Sequence, residues 1–149
     1  MADAGAEARA EAAAFLDTGY LIALEDADDT NHEPAREHWK GLRQRLSSGT
    51  LMLTTTSYVL DEVVTFFNVR GHHRKAVELG EKLMGSASLE LVHVEEDLLQ
   101  RGFAYLKQRQ DKRYSLTDCV SFVVMADCGI TTAFAFDRHF AQAGFRKEP

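Results

Sequence analysis

Long apolar runs are missing from this chain of 149 residues. None exceeds five residues (12–16, 20–24 and 122–126), and a membrane-spanning helix needs about 20. Cysteine is scarce as well. Cys119 and Cys128 stand nine residues apart in one helical pattern, about 13 Å along the axis at about 1.5 Å per residue. A disulfide reaches about 7 Å, so the pair is expected to be two buried thiols in a reducing cytoplasm. Two prolines and no low-complexity stretch beyond residue 14 leave no place for a linker. No glycine-rich phosphate loop, HExxH or CxxC motif is present, which removes P-loop and zinc chemistry. Residues 1–14 lack a basic start and an apolar stretch, and carry three acids against one arginine. They are expected to form a loose Ala/Glu-rich tail rather than a secretion signal. Positive charge is in deficit too: the net charge of −6 ordinarily counts against a polyanionic partner.

What remains is an ordinary globular composition, 45% apolar and 27% charged, over a length that suits one domain, here residues 15–149. Strand patterns are expected to end at Leu16 and to cover 51–54, 89–94 and 132–136, with a last short one at 145–147. Helical patterns fall at 18–24, from a cap at Asn31 to Leu46, from 57 until Gly71 stops it, and at 74–84, 96–108 and 117–126. Strands alternating with helices predict an α/β fold, a three-layer α-β-α sandwich with a mainly parallel sheet of four or five strands, because a parallel crossover needs a helix-length connection. In such sheets ligands bind outside the carboxyl ends of the strands, where the strand order reverses.

Two expected strands end in a carboxylate, at Asp17 and at Asp137. Asp118 lies in the first turn of a helix, and Glu62 sits one to two turns into the helix after the second strand. Each has a plainer reading when taken singly. Asp17 fits a helix cap, Ser115 to Asp118 fits a capping box, Asp137 fits a turn, and Glu62 beside Asp61 fits a solvated helix face. Four independent caps, however, have no reason to gather at one end of a sheet. Carboxylates held together resist ionisation unless a cation neutralises them, and hard oxygen ligands suit Mg²⁺ or Mn²⁺.

The segments FLDTGYLIAL (15–24), TTSYVLDE (55–62), SLTD (115–118) and AFDRHF (135–140), in this order and spacing, resemble the PIN-domain nucleases. The likeness is strongest to the toxins of VapBC toxin–antitoxin pairs and spans residues 14–147. The resemblance implies a metal-dependent endoribonuclease, a hydrolase of RNA phosphodiesters, with the catalytic and metal-ligating quartet falling on Asp17, Glu62, Asp118 and Asp137. It selects Glu62 over Asp61. It further implies a homodimer, an antitoxin partner and a cytoplasmic site of action. Apolar Tyr20, Leu21, Trp39 and Phe67 are candidates to line the antitoxin groove, with core packing as their plainer role. The rival reading is a PIN-like module that holds RNA or protein without cutting; retention of all four acids favours the enzyme.

The quartet carries −4 and residues 1–14 carry −2, so the remaining surface is neutral and RNA is no longer excluded. Basic residues cluster at Arg36, Lys40, Arg43 and Arg45, at Arg70, Arg74 and Lys75, and between Arg101 and Arg113. The last group, with Lys107, Arg109 and Lys112, leads directly into the Asp118 segment and is expected to hold phosphates. Thr18 and Thr117, each beside an expected ligand, are candidates to hydrogen-bond a carboxylate, with helix capping as the plainer role.

Overall fold

The computed structural model describes residues 12–149. The tail expected at residues 1–14 falls mostly outside them, although Ala13 and Ala14 already belong to the first strand. Five strands, β1 (Ala13–Leu16), β2 (Met52–Thr56), β3 (Leu89–Val92), β4 (Thr132–Phe134) and β5 (Arg146–Glu148), form one sheet. All pairings are parallel, in the order β3-β2-β1-β4-β5. Helices α1 (Thr18–Glu25) and α2 (His32–Ser47) join β1 to β2, and α3 (Ser57–Val69) and α4 (His73–Gly85) join β2 to β3. Helices α5 (Glu96–Lys107) and α6 (Leu116–Cys128) lead to β4, and the short α7 (His139–Gln142) precedes β5. The chain builds outward from β1 to β3, then returns to place β4 on the other side of β1. The order therefore reverses between β1 and β4, and their carboxyl ends open a crevice there.

The local reasons are visible in the burial pattern. Helix α3 buries Val59, Val63 and Phe67 at fourfold spacing, one stripe of a 3.6-residue period. Its entry is capped by Thr56, whose hydroxyl accepts from the Val59 amide at 3.3 Å. Thr55 donates its hydroxyl to the Leu16 carbonyl at 2.8 Å, so a polar residue sits fully buried in the sheet without an unpaired group. Helix α6 ends at Gly129, where φ is +66°, a conformation glycine adopts without steric cost.

Several expected boundaries move. Strand β2 runs two residues beyond Thr54, and β3 ends at Val92, since the Val94 amide turns to the Ser57 hydroxyl at 2.9 Å. Strand β4 stops at Phe134, not Phe136: it pairs with Leu16, after which β1 has become α1 and offers no further ladder. Asp137 consequently lies in a loop three residues past the strand. Asn31 does not cap α2 through its side chain; its own amide donates to Asp29 Oδ1 at 2.8 Å. Both cysteines are free, but only Cys119 is buried; Cys128, at the last turn of α6, is exposed. Burial pushes the Cys119 thiol up to about 11, which leaves it a poor nucleophile.

Helices α5 and α6 touch at Gly102. A methyl group there would stand 2.5 Å from Val120 Cγ2 and 3.3 Å from Val120 Cα. Alanine's better helix propensity, about 1 kcal/mol, does not offset an overpacking cost of about 1–3 kcal/mol against backbone. Gly102→Ala is expected to lower the melting temperature by a few degrees at about 2–4 °C per kcal/mol. A melting temperature at or above the wild type would show that α5 has room to shift.

Candidate active site

Asp17 leaves β1 and precedes α1, its amide bonded to the Phe134 carbonyl of β4 at 3.1 Å. It thus stands at the point of strand reversal. Its side chain makes no capping hydrogen bond, and the residue is only 4% exposed. Burial pushes its carboxyl well above the usual carboxylate range, the charges of Asp137 and Asp118 push it further, and the amides opening α1 pull it partly back. An ionised group so placed and so surrounded lacks a counter-charge.

Asp118 performs the plainer role as well. Its amide donates to Ser115 Oγ at 3.0 Å, and its Oδ2 accepts from the Ser115 amide at 3.1 Å, a complete capping box. The same Oδ2 accepts from His139 Nδ1 at 2.8 Å. Both hydrogen bonds fall on one oxygen, and neither uses Oδ1. Asp137, more exposed, accepts the His139 amide on Oδ1 at 2.9 Å.

Glu62 faces the crevice and Asp61 does not. Thr18 Oγ1 lies 3.5 Å from Glu62 Oε1, whereas Asp61 is exposed and accepts from Thr65 one turn on. Burial raises the Glu62 carboxyl, the Thr117 and Thr18 hydroxyls lower it, and Asp118 adds a raising charge. Thr18 and Thr117 therefore do serve a carboxylate, but one across the site rather than their chain neighbours. Of the four expected residues, spread over 120 positions, Asp118 and Asp137 lie at ligand spacing, Asp17 feels the charge of both, and Glu62 feels that of Asp118 alone.

His139 is the residue that sequence reading missed. One ligand atom each from Asp118, Asp137 and His139 lies within 4.8 Å of the others, a group of a kind that holds a metal ion. The only local signal was its place two residues after Asp137. Its contact with Asp118 spans 21 positions, and no periodicity reveals it.

The basic clusters divide. Arg101 is taken up by Asp127 in a two-point pair at 2.9 and 2.7 Å and by Asp97 at 2.9 Å; Arg109 lies over the Tyr105 ring at 4.6 Å. Arg113 and Lys112, the latter 3.6 Å from Asp111, line an open cleft of about 550 Å³ together with Asp137, Arg138, His139 and Gln142. On α2, Arg36, Lys40 and Arg43 rim a second cavity of about 260 Å³, floored by Leu16, Leu53 and Leu83. Arg70 rests on the Phe66 ring at 3.6 Å, while Arg74 and Lys75 pair with Glu78 and Glu25.

Comparison with known proteins agrees with this fold. The chain is 34% identical over 131 residues to the 23S rRNA-specific endonuclease VapC20 of Mycobacterium tuberculosis, in strains CDC 1551 and H37Rv alike; the match covers 88% of this chain and 94% of VapC20. It superposes on the crystal structure of M. tuberculosis VapC20, described as a sarcin–ricin loop cleaving toxin, with a TM-score of 0.77 at 33% identity, covering 88% of this chain and 95% of that one. Residues 14–146 match the PIN domain family. The all-parallel five-stranded sheet accords with that match, and the chain belongs to the PIN domain family.

Proposed function

We propose that this protein is a Mg²⁺- or Mn²⁺-dependent endoribonuclease that hydrolyses phosphodiester bonds in structured ribosomal RNA, and that it is the toxin of a toxin–antitoxin pair. The observation that carries the reading is the buried, uncompensated Asp17 carboxylate facing the charges of Asp118 and Asp137, with Glu62 on the far side of Asp118. A divalent cation meets that need: oxygen donors dominate the site, and Asp17 gains the counter-charge it lacks. When bound, such an ion polarises a phosphate oxygen and lowers the pKa of an attacking water. Asp17 and Asp118 are the inner ligands in this reading, with Glu62 and Asp137 completing the set. Thr18 steadies Glu62, and His139 steadies Asp118. Cleavage of ribosomal RNA that requires added Mn²⁺ and is lost in Asp17→Asn is the expected result. Metal-independent cleavage, or binding without cleavage by the intact chain, refutes the reading and leaves an RNA-holding module.

RNA approaches this acidic site along Lys112, Arg113 and Arg138, which line the cleft beside Asp137. In the presence of chelator, replacing all three with glutamine is expected to reduce the salt dependence of single-stranded RNA binding by about 0.7 per lost phosphate contact. Metal affinity should stay close to wild type. Replacing Arg36, Lys40 and Arg43 provides the comparison. A larger loss of slope in the second triple variant would put the RNA on the opposite side.

The α2 cavity supports the antitoxin half of the reading. Trp39 lines it together with Leu21, itself a buried core residue, whereas Tyr20 and Phe67 belong to the core alone. Arg36, Lys40, Arg43 and Lys82 surround an apolar floor, which suits an acidic amphipathic segment. The toxin itself is a homodimer in this reading. Light scattering at tens of micromolar should give twice the 16.7 kDa of one chain, and a monomeric mass speaks against it. No helix among the described residues is long and apolar enough to cross a membrane.

A further inference from the structure

We propose that His139 is a positioning residue that ties Asp118 and Asp137 into a ligand pair, using its imidazole for one carboxylate and its backbone amide for the other. The inference rests on the reading of this crevice as a divalent-metal site. The imidazole Nδ1 lies 2.8 Å from Asp118 Oδ2 and 3.9 Å from Asp137 Oδ1, and the His139 amide donates to that same Asp137 oxygen at 2.9 Å. An ionised carboxylate only accepts hydrogen bonds, so Nδ1 carries the proton in the Asp118 contact and directs it at Oδ2. Asp118 Oδ1 is left to a cation.

The tie has work to do because Asp137 stands in a loop beyond β4 rather than on a strand. Its side chain is 43% exposed. Without an ion, like charges on Asp17, Asp118 and Asp137 favour its swinging into solvent. His139 opposes that movement because the surrounding packing fixes it. The Tyr114 ring meets the imidazole edge-on at 5.4 Å between centroids. The next residue, Phe140, is fully buried against Phe15 and Phe122. A hydrogen-bond partner that orients a metal ligand in this way typically supports affinity by about 10- to 100-fold.

Three substitutions separate positioning through Nδ1 from ligation through Nε2. Asparagine places a side-chain N–H near the position of imidazole Nδ1, glutamine places one near Nε2, and alanine supplies neither; the amide tie persists in all three. Calorimetric titration of the full chain with Mn²⁺ is expected to show affinity weakened about 10- to 100-fold in His139→Ala and His139→Gln, but near wild type in His139→Asn. Cleavage should follow metal occupancy, so saturating Mn²⁺ restores most of kcat in His139→Ala. Should His139→Ala fail to fold, the Asn and Gln variants alone decide.

Rescue by Gln instead of Asn would overturn the proposal and make the imidazole a ligand through Nε2. Equal loss in all three variants, or unchanged affinity in His139→Ala, would overturn it as well. Asp118→Asn is the control. If it leaves Mn²⁺ affinity intact, the metal reading of the crevice fails and the tie falls with it. If it weakens affinity while His139→Ala does not, the tie alone is refuted.

Discussion

Asp17→Asn is expected to abolish cleavage and, at neutral pH, to raise the melting temperature of the metal-free protein. Burial, then Asp137 and Asp118, hold the Asp17 carboxyl well above its ordinary value. A group raised in the folded state contributes stability that is fully present below its unfolded value, near 3.8, and is lost as pH rises through the folded value. Metal-free wild type should therefore lose stability relative to Asp17→Asn from about pH 4 upward, and the variant's pH profile should be flatter. Asp127, lowered first of all by its Arg101 hydrogen bond, contributes in the opposite sense, but equally in both proteins, so the difference isolates Asp17. For a chain of this size each kcal/mol of relieved strain is worth about 2–4 °C. Mn²⁺ reverses the order: at 100 times its dissociation constant it stabilises the wild type by about 2.7 kcal/mol and leaves the variant unmoved. Because metal ligands must be deprotonated, Mn²⁺ affinity in the wild type should weaken as pH falls. Thermal melts from pH 4 to 8, with and without Mn²⁺, check all of this. A variant less stable than wild type at pH 7 without metal would mean that Asp17 is satisfied by the protein itself.

Asp118→Asn should reduce cleavage by about a hundredfold to ten-thousandfold, because a divalent ion supplies several kcal/mol of charge stabilisation at about 1.4 kcal/mol per decade. Its fold should survive. The two hydrogen bonds from Ser115 and His139 converge on Oδ2, and the asparagine oxygen replaces that acceptor. The amide nitrogen then falls where the cation belongs and repels it. Asp118→Ala loses the same activity but also breaks one arm of the capping box, at about 0.5–2 kcal/mol. Ser115→Ala inverts the pattern, with a lowered melting temperature and most of the cleavage retained. Paired assays of rate and melting on the three variants test this separation. A large melting drop in Asp118→Asn would show that charge, and not only an acceptor, holds the start of α6.

The alternation of strand and helix patterns, the Ser115 to Asp118 capping box and the acids after Leu16 and in AFDRHF were legible in the sequence. Each depends on contacts within about four residues, where periodicity and backbone chemistry act. The choice between Asp61 and Glu62 was open to helix geometry and came from the family resemblance; in the fold, Glu62 faces Thr18 across 44 positions while Asp61 meets only its own helix.

Other features belong to the tertiary structure alone. Asp137 leaves its strand because β1 ends beside it, and Cys128 reaches solvent because α6 ends there. Arg101 and Arg109 are spent on Asp127 and Tyr105, while Lys112 and Arg113 line the cleft beside the acids. His139 joins Asp118 only because an aromatic cluster from α6, α7 and the loop before α6 sets its ring there. The amino-acid order determined which elements form and where acids stand on them. Which charges find partners, and which are left to bind something else, was decided by parallel crossovers that bring distant segments to the carboxyl end of the sheet.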